Sequence, residues 1–137
     1  MARLSVCALF LAASAALPSG AMAAGDPAIG ASVFKQCSVC HSPQKGVNLI
    51  GPSLYGVVGR PAGSIAGYDY SPAIKTASSK GLIWTEDNIT AYLQNPHKFL
   101  GDFDGGPSAR NKMPFSLADS QKRQDVVAYL KTLAGGG

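Results

Sequence analysis

Cys37-Ser38-Val39-Cys40-His41 is the segment of this sequence best equipped for chemistry. Two thiols at i and i+3 lie on one side of a helical turn, so both can add to the two vinyl groups on neighbouring edges of a porphyrin. A histidine directly after the second cysteine projects under the ring centre, where its imidazole can ligate iron. This is the attachment sequence of c-type haem. Zinc would need four ligands in a tetrahedron, yet there is no second cysteine pair and His97 is the only other histidine. A thioredoxin-like dithiol needs a βαβ context, which is absent. The reading is one covalently attached haem c, with Cys37 and Cys40 as anchors and His41 as an iron ligand.

The candidates for the sixth iron ligand are Met113 and His97. A methionine is more often a gap-filler in a core than a ligand. Met113 nevertheless lies far down the chain, where a loop can return over the opposite haem face. His97, between Pro96 and Lys98 at a helix end, reads as surface. Met113 is the ligand expected here.

Residues 1–23 read as a leader. Arg3 is followed by an apolar run from Leu4 to Leu17, a Pro18-Ser19-Gly20 break and a small-x-small site at Ala21-Met22-Ala23. That layout is a secretory signal, too short in its apolar core to span a bilayer comfortably. Cleavage is expected after Ala23, which removes Cys7, Met1 and Met22 and leaves residues 24–137 as one exported domain. Export and covalent haem agree, because a covalent bond keeps the haem from leaving once the protein is outside.

The elements that must position these groups are helical. Asp26-Pro27 is a cap followed by a first-turn proline, and Ile29, Val33, Phe34 and Cys37 follow on one face. From Ser42 to Gly67 the periodicity vanishes under glycine and proline. Such a long irregular stretch is reasonable in a small domain only if it wraps something that is not protein. A short helix is expected after Ser71-Pro72. Another opens at Thr85-Glu86-Asp87 and stops near Asn95, because Pro96 disfavours helix in the residue before it. Residues 101–110 read as flexible by composition. The last helix starts near Ser116 or Asp119 and carries Val126, Val127, Tyr129, Leu130 and Leu133. The expected fold class is all-α, three to four helices with long loops.

With 137 residues, 46% hydrophobic and 15% charged, the chain supports one domain and excludes disorder. The formal charge of +4 suits an acidic protein partner better than nucleic acid. So many residues outside regular structure, at about 1–2 kcal/mol of backbone entropy each, call for a large buried cofactor to close the balance.

The chain resembles the class I c-type cytochromes, in the bacterial branch that is similar to mitochondrial cytochrome c. The match covers residues 26–133. Gly30-x-x-x-Phe34 and Tyr129 resemble the family's crossed terminal helices, where glycine permits close backbone approach. Gly51-Pro52 is similar to the segment whose proline carbonyl accepts a hydrogen bond from the ligating histidine, which implies that role for Pro52. Arg60, Tyr70 and Trp84 match positions that surround a haem propionate in the family. Tyr92 matches the tyrosine that hydrogen-bonds the methionine sulfur, and Lys112-Met113 matches the ligand itself. Two departures stand out. Residues 99–112 are longer than in the mitochondrial form, which makes residues 101–110 a loop insertion. Asn111 stands where the family commonly has a hydroxyl residue near the propionate.

The resemblance implies a soluble, periplasmic one-electron carrier, monomeric and not an enzyme, shuttling between redox partners of a respiratory or photosynthetic chain. Such partners are membrane cytochrome complexes, oxidases, a reaction centre or dehydrogenases. Lys35, Lys45, Lys98 and Lys112 are candidates for a basic rim around the haem edge. Two other readings compete: a haem subunit held in a dehydrogenase or oxidase complex, and a peroxide-reducing or ligand-binding haem protein.

Overall fold

The Asp26 carboxylate accepts hydrogen bonds from the backbone N–H groups of Ala28 at 2.8 Å and Ile29 at 3.3 Å. With Pro27 at the first helical position, it starts α1 (Pro27–Phe34) in this computed structural model. The structure describes residues 24–107 and 110–134. The leader expected over residues 1–23 lies outside the described residues.

Four further helices follow: α2 (Pro72–Ser79), α3 (Glu86–Gln94), α4 (Pro96–Asp104) and α5 (Ser120–Thr132). Ser71, Thr85, Asn95 and Asp119 cap them, each accepting from a backbone N–H in the first turn. The described residues thus hold five helices where three to four were expected. The extra one is α4, whose last residues, 101–104, fall in the stretch read as flexible. Pro96 does end α3, but it is also a first-turn proline. Asn95 accepts from Lys98 N at 3.0 Å, and Gly105 closes the helix in the left-handed region at φ 80°. Leu100 is fully buried in the face that α4 turns inward. Only part of the supposed insertion is therefore irregular, and residues 108 and 109 lie outside the described residues.

Helices α1 and α5 cross in close contact. A Cβ on Gly30 would stand 1.9 Å from the carbonyl oxygen of Asp125, so the crossing needs glycine there. Asp125, itself buried, accepts from Asp26 N at 2.8 Å and Gln121 Nε2 at 3.1 Å. Phe34 meets Tyr129 with ring centroids 5.2 Å apart. The apolar face of α1 differs from expectation in one residue: Ile29 is 52% exposed. Since Gly30 is the contact, its predecessor lies about 100° round the helix and away from α5.

Two cores result. Val33, Phe34, Val57, Leu93, Val126 and Leu130 belong to the first; Ala73, Ile74, Ala77, Leu82 and Leu100 belong to the second. Trp84 packs against both. Residues 59–62 pair briefly with 82–84, through Gly59 N to Trp84 O at 2.8 Å and Trp84 N to Arg60 O at 2.9 Å. The irregular stretch from residue 42 to 67 contains no helix and lies against the space described next.

Candidate haem site

Helical turns continue past α1 into the attachment segment. Cys40 N donates to Cys37 O at 3.0 Å and His41 N to the same carbonyl at 2.9 Å. Both cysteines are half-buried at the edge of a cavity of about 610 Å³ and are not joined to each other. Burial, and then the neighbouring Cys40, raise the Cys37 thiol above its ordinary value.

The residues expected to anchor, ligate and surround the haem all line this one cavity. Cys37, Cys40 and His41 come from the attachment segment, Pro52 and Arg60 from the irregular loop, and Tyr70, Trp84, Tyr92 and Met113 from the remainder. His97 is exposed on α4 and does not line it.

His41 is held from two sides. Its Nδ1 lies 2.7 Å from the Pro52 carbonyl oxygen, which can only accept, so Nδ1 carries the proton and Nε2 keeps its lone pair. Burial lowers the imidazole's proton affinity; the Pro52 bond opposes this and the Arg60 charge adds to it. Gly51 packs flat on the ring: a Cβ there would stand 2.3 Å from Cε1 and 2.8 Å from Nε2. In sequence Gly51 is marked only by its neighbour Pro52. Its contact with a ring ten residues away leaves no local pattern.

Arg60 donates from Nη1 to Tyr55 O at 2.9 Å and from Nη2 to Ser53 O at 3.0 Å. The Tyr70 hydroxyl accepts from Ile65 N at 3.2 Å. Arg60 and Tyr70, two of the three residues expected around a propionate, therefore also tie down the loop. Tyr68 was not singled out, yet it lines the cavity and its hydroxyl donates to Ile50 O at 2.6 Å. Trp84 and Tyr92 meet edge to face at 4.9 Å. Burial pushes the Tyr92 hydroxyl up to about 12, partly offset by its hydrogen bond with the Asn111 side chain.

Met113 is half-buried on an extended strap, residues 110–119, packed against the first core. Individual bonds fasten the strap to the body. Lys112 Nζ reaches Asp69 O at 2.6 Å and Asp69 Oδ2 at 2.8 Å. Leu117 N donates to Leu93 O at 2.7 Å. From α5, the buried Arg123 donates through Nη1 to Leu117 O and Ala118 O, both at 2.7 Å. Arg123 went unnoticed in the sequence because an arginine in a helix reads as surface; only the strap's fold beneath α5 buries it.

The cavity fits a haem. It is lined mainly by apolar side chains, it has two thiols at its rim, and it offers a neutral imidazole and a thioether as donors. The sequence profile of the Cytochrome c family matches residues 27–134.

The chain belongs to the cytochrome c family.

Among related proteins, cytochrome c2 of Rhodopseudomonas palustris is 48% identical over 132 residues, covering 91% of this chain and 94% of that protein. Cytochrome c-550 of Novispirillum itersonii is 44% identical, over 80% of this chain and 99% of its own. The solved structure of cytochrome c2 from Rhodospirillum centenum superposes with a TM-score of 0.76 at 45% identity, over 80% of this chain and 99% of the other. The fold is the class I cytochrome c fold, and the cofactor of this cytochrome is covalently attached haem c. Among the described residues no helix is long and apolar enough to cross a membrane.

Proposed function

We propose that the chain is a soluble one-electron carrier, exported to the periplasm after loss of residues 1–23, with His41 and Met113 as its iron ligands. The observation that carries this reading is the convergence of two thiols, an oriented imidazole and a distant thioether on one apolar cavity. When bound, haem supplies one-electron oxidation and reduction at iron, and His/Met ligation raises its potential relative to two nitrogen ligands or an anionic ligand.

The chain's residues do the rest. Cys37 and Cys40 hold the group as thioethers. The Pro52 carbonyl keeps the proton on Nδ1 of His41, so the Nε2 lone pair is available to iron. Arg60, Tyr70 and Trp84, which line the cavity, would surround the propionates. Leu93, Val126 and Leu130 keep water from the interior. If His41 and Met113 both ligate the iron, no iron site would be left for substrate, which favours a carrier over an enzyme.

Lys112 lines the cavity and is paired with Asp69, whereas Lys98 pairs with Asp102 on α4 at 2.5 Å. Lys35 and Lys45 are exposed. Val39, 73% exposed, and Ile50, 78% exposed, line the same cavity, giving the contact face an apolar component beside its charge. This feature also supports the second reading, a haem subunit held within a larger complex. Redox titration of the purified holoprotein tests the proposal: one reversible one-electron wave and no peroxide turnover are expected. Rapid peroxide reduction would contradict it. Salt separates the two assemblies, since transient charged docking weakens with ionic strength and apolar docking does not.

A further inference from the structure

Asn111 occupies the position where class I cytochromes commonly carry a hydroxyl, and it meets both backbone polar groups of Met113 with two separate atoms. Its Oδ1 accepts from the Met113 N–H at 3.3 Å, and its Nδ2 donates to the Met113 carbonyl at 3.3 Å. The same carboxamide is hydrogen-bonded to the Tyr92 hydroxyl. Tyr92 is held in turn by the rings of Trp84 at 4.9 Å and Phe99 at 5.8 Å. Asn111, Tyr92 and Met113 all line the cavity.

We propose that Asn111 is a positioning residue for the methionine ligand, fixing the backbone of Met113 from both sides and tying it to Tyr92 on α3. The proposal rests on ligation by Met113. Pro114 already restricts Met113 to extended backbone from its C-terminal side. Asn111 supplies the complementary restraint, and together they set the direction in which the Met113 side chain leaves the strap. A carboxamide brings two donors and an acceptor oxygen with two lone pairs, enough for both Met113 groups and Tyr92 at once. Threonine would have to make all three bonds from a single oxygen, whereas the carboxamide serves the Met113 N–H and carbonyl from two separate atoms, Oδ1 and Nδ2. The restraint acts on how often the thioether leaves iron rather than on whether the chain folds.

The test uses holoprotein carrying Asn111→Ala, Asn111→Thr, Tyr92→Phe and the Asn111→Ala/Tyr92→Phe pair. Readouts are the weak sulfur-to-iron absorption band, the rate of cyanide binding to the oxidised protein, and unfolding by denaturant. Asn111→Ala is expected to quicken cyanide binding about tenfold, the scale of one lost hydrogen bond, with the band weakened at temperatures below global unfolding. Asn111→Thr should recover only part of this. The effects of Asn111→Ala and Tyr92→Phe should combine to less than their sum, because both cut one chain of bonds. Unchanged cyanide binding in Asn111→Ala overturns the proposal, as does a rate that rises only in step with lost stability. A fully additive pair overturns the link to Tyr92. If the wild type itself lacks the band, the assignment of Met113 has failed and the proposal falls with it; a normal wild-type band with Asn111-insensitive cyanide binding sinks the proposal alone.

Discussion

His41 and Met113 reach the same cavity by different routes. On the His41 side, four residues of helical turn join the thiols to the imidazole, and an adjoining loop brings Gly51 and Pro52 onto the ring. On the Met113 side the chain is extended, and besides its packing against the first core it is held by separate bonds to Asp69 and Leu93, distant in sequence, and to Arg123 just beyond its end. The first side is set by local geometry and tight packing. The second is set by a few bonds that can be cut one at a time. The two sides therefore answer differently to mutation: the His41 side breaks whole, whereas the Met113 side loosens by degrees.

Gly51→Ala is the harshest way to break that contrast. A methyl 2.3 Å from the ring must push His41 off the Pro52 carbonyl, so holoprotein yield should collapse and stability fall by about 3 kcal/mol or more. Normal yield and normal denaturant unfolding would show the His41 side to be as yielding as the other. Arg123→Met comes next. It keeps the buried stem but leaves the Leu117 and Ala118 carbonyls without their donor, which should cost about 1–3 kcal/mol. The loss should appear as quicker exchange of the sixth ligand before unfolding; loss of His41 ligation first would reverse the comparison.

Lys45→Glu should slow association with an acidic redox partner several-fold at low salt, by charge rather than by structure, with little change in potential. Stopped-flow rates against ionic strength measure this. The smallest effect belongs to Asp69. Hydrogen bonds from Lys112, then Lys75, and their charges lower its carboxyl from 3.8 to about 2. Because the folded value is depressed, the stabilisation is complete above about pH 4 and is lost as pH falls toward 2. The group is exposed, so the contribution is small. The difference in melting temperature between wild type and Asp69→Asn should shrink across that window; a difference that grows on acidification would contradict this role of the Lys112–Asp69 pair.

This contrast also explains what could be read beforehand. The attachment motif carries its own spacing, and the helix starts at Asp26, Ser71 and Thr85 each show a cap, so these were legible. Pro96 was read for what it forbids before it and not for what it permits after it, which hid α4. Gly51 on the His41 ring, Asn111 on Tyr92 and Arg123 under the strap are contacts between segments, and nothing local marks them. The Asp69–Lys112 pair spans 43 residues and leaves no trace in either neighbourhood.

Met113, on the loosely fastened side, is the proposed sixth ligand. Optical spectra of the oxidised holoprotein address it directly, comparing wild type, Met113→Ala and His97→Ala. The sulfur-to-iron band should be present in wild type, intact in His97→Ala and gone in Met113→Ala, with haem still covalently attached in all three by mass. A band that survives Met113→Ala, or is missing from wild type, would contradict the account.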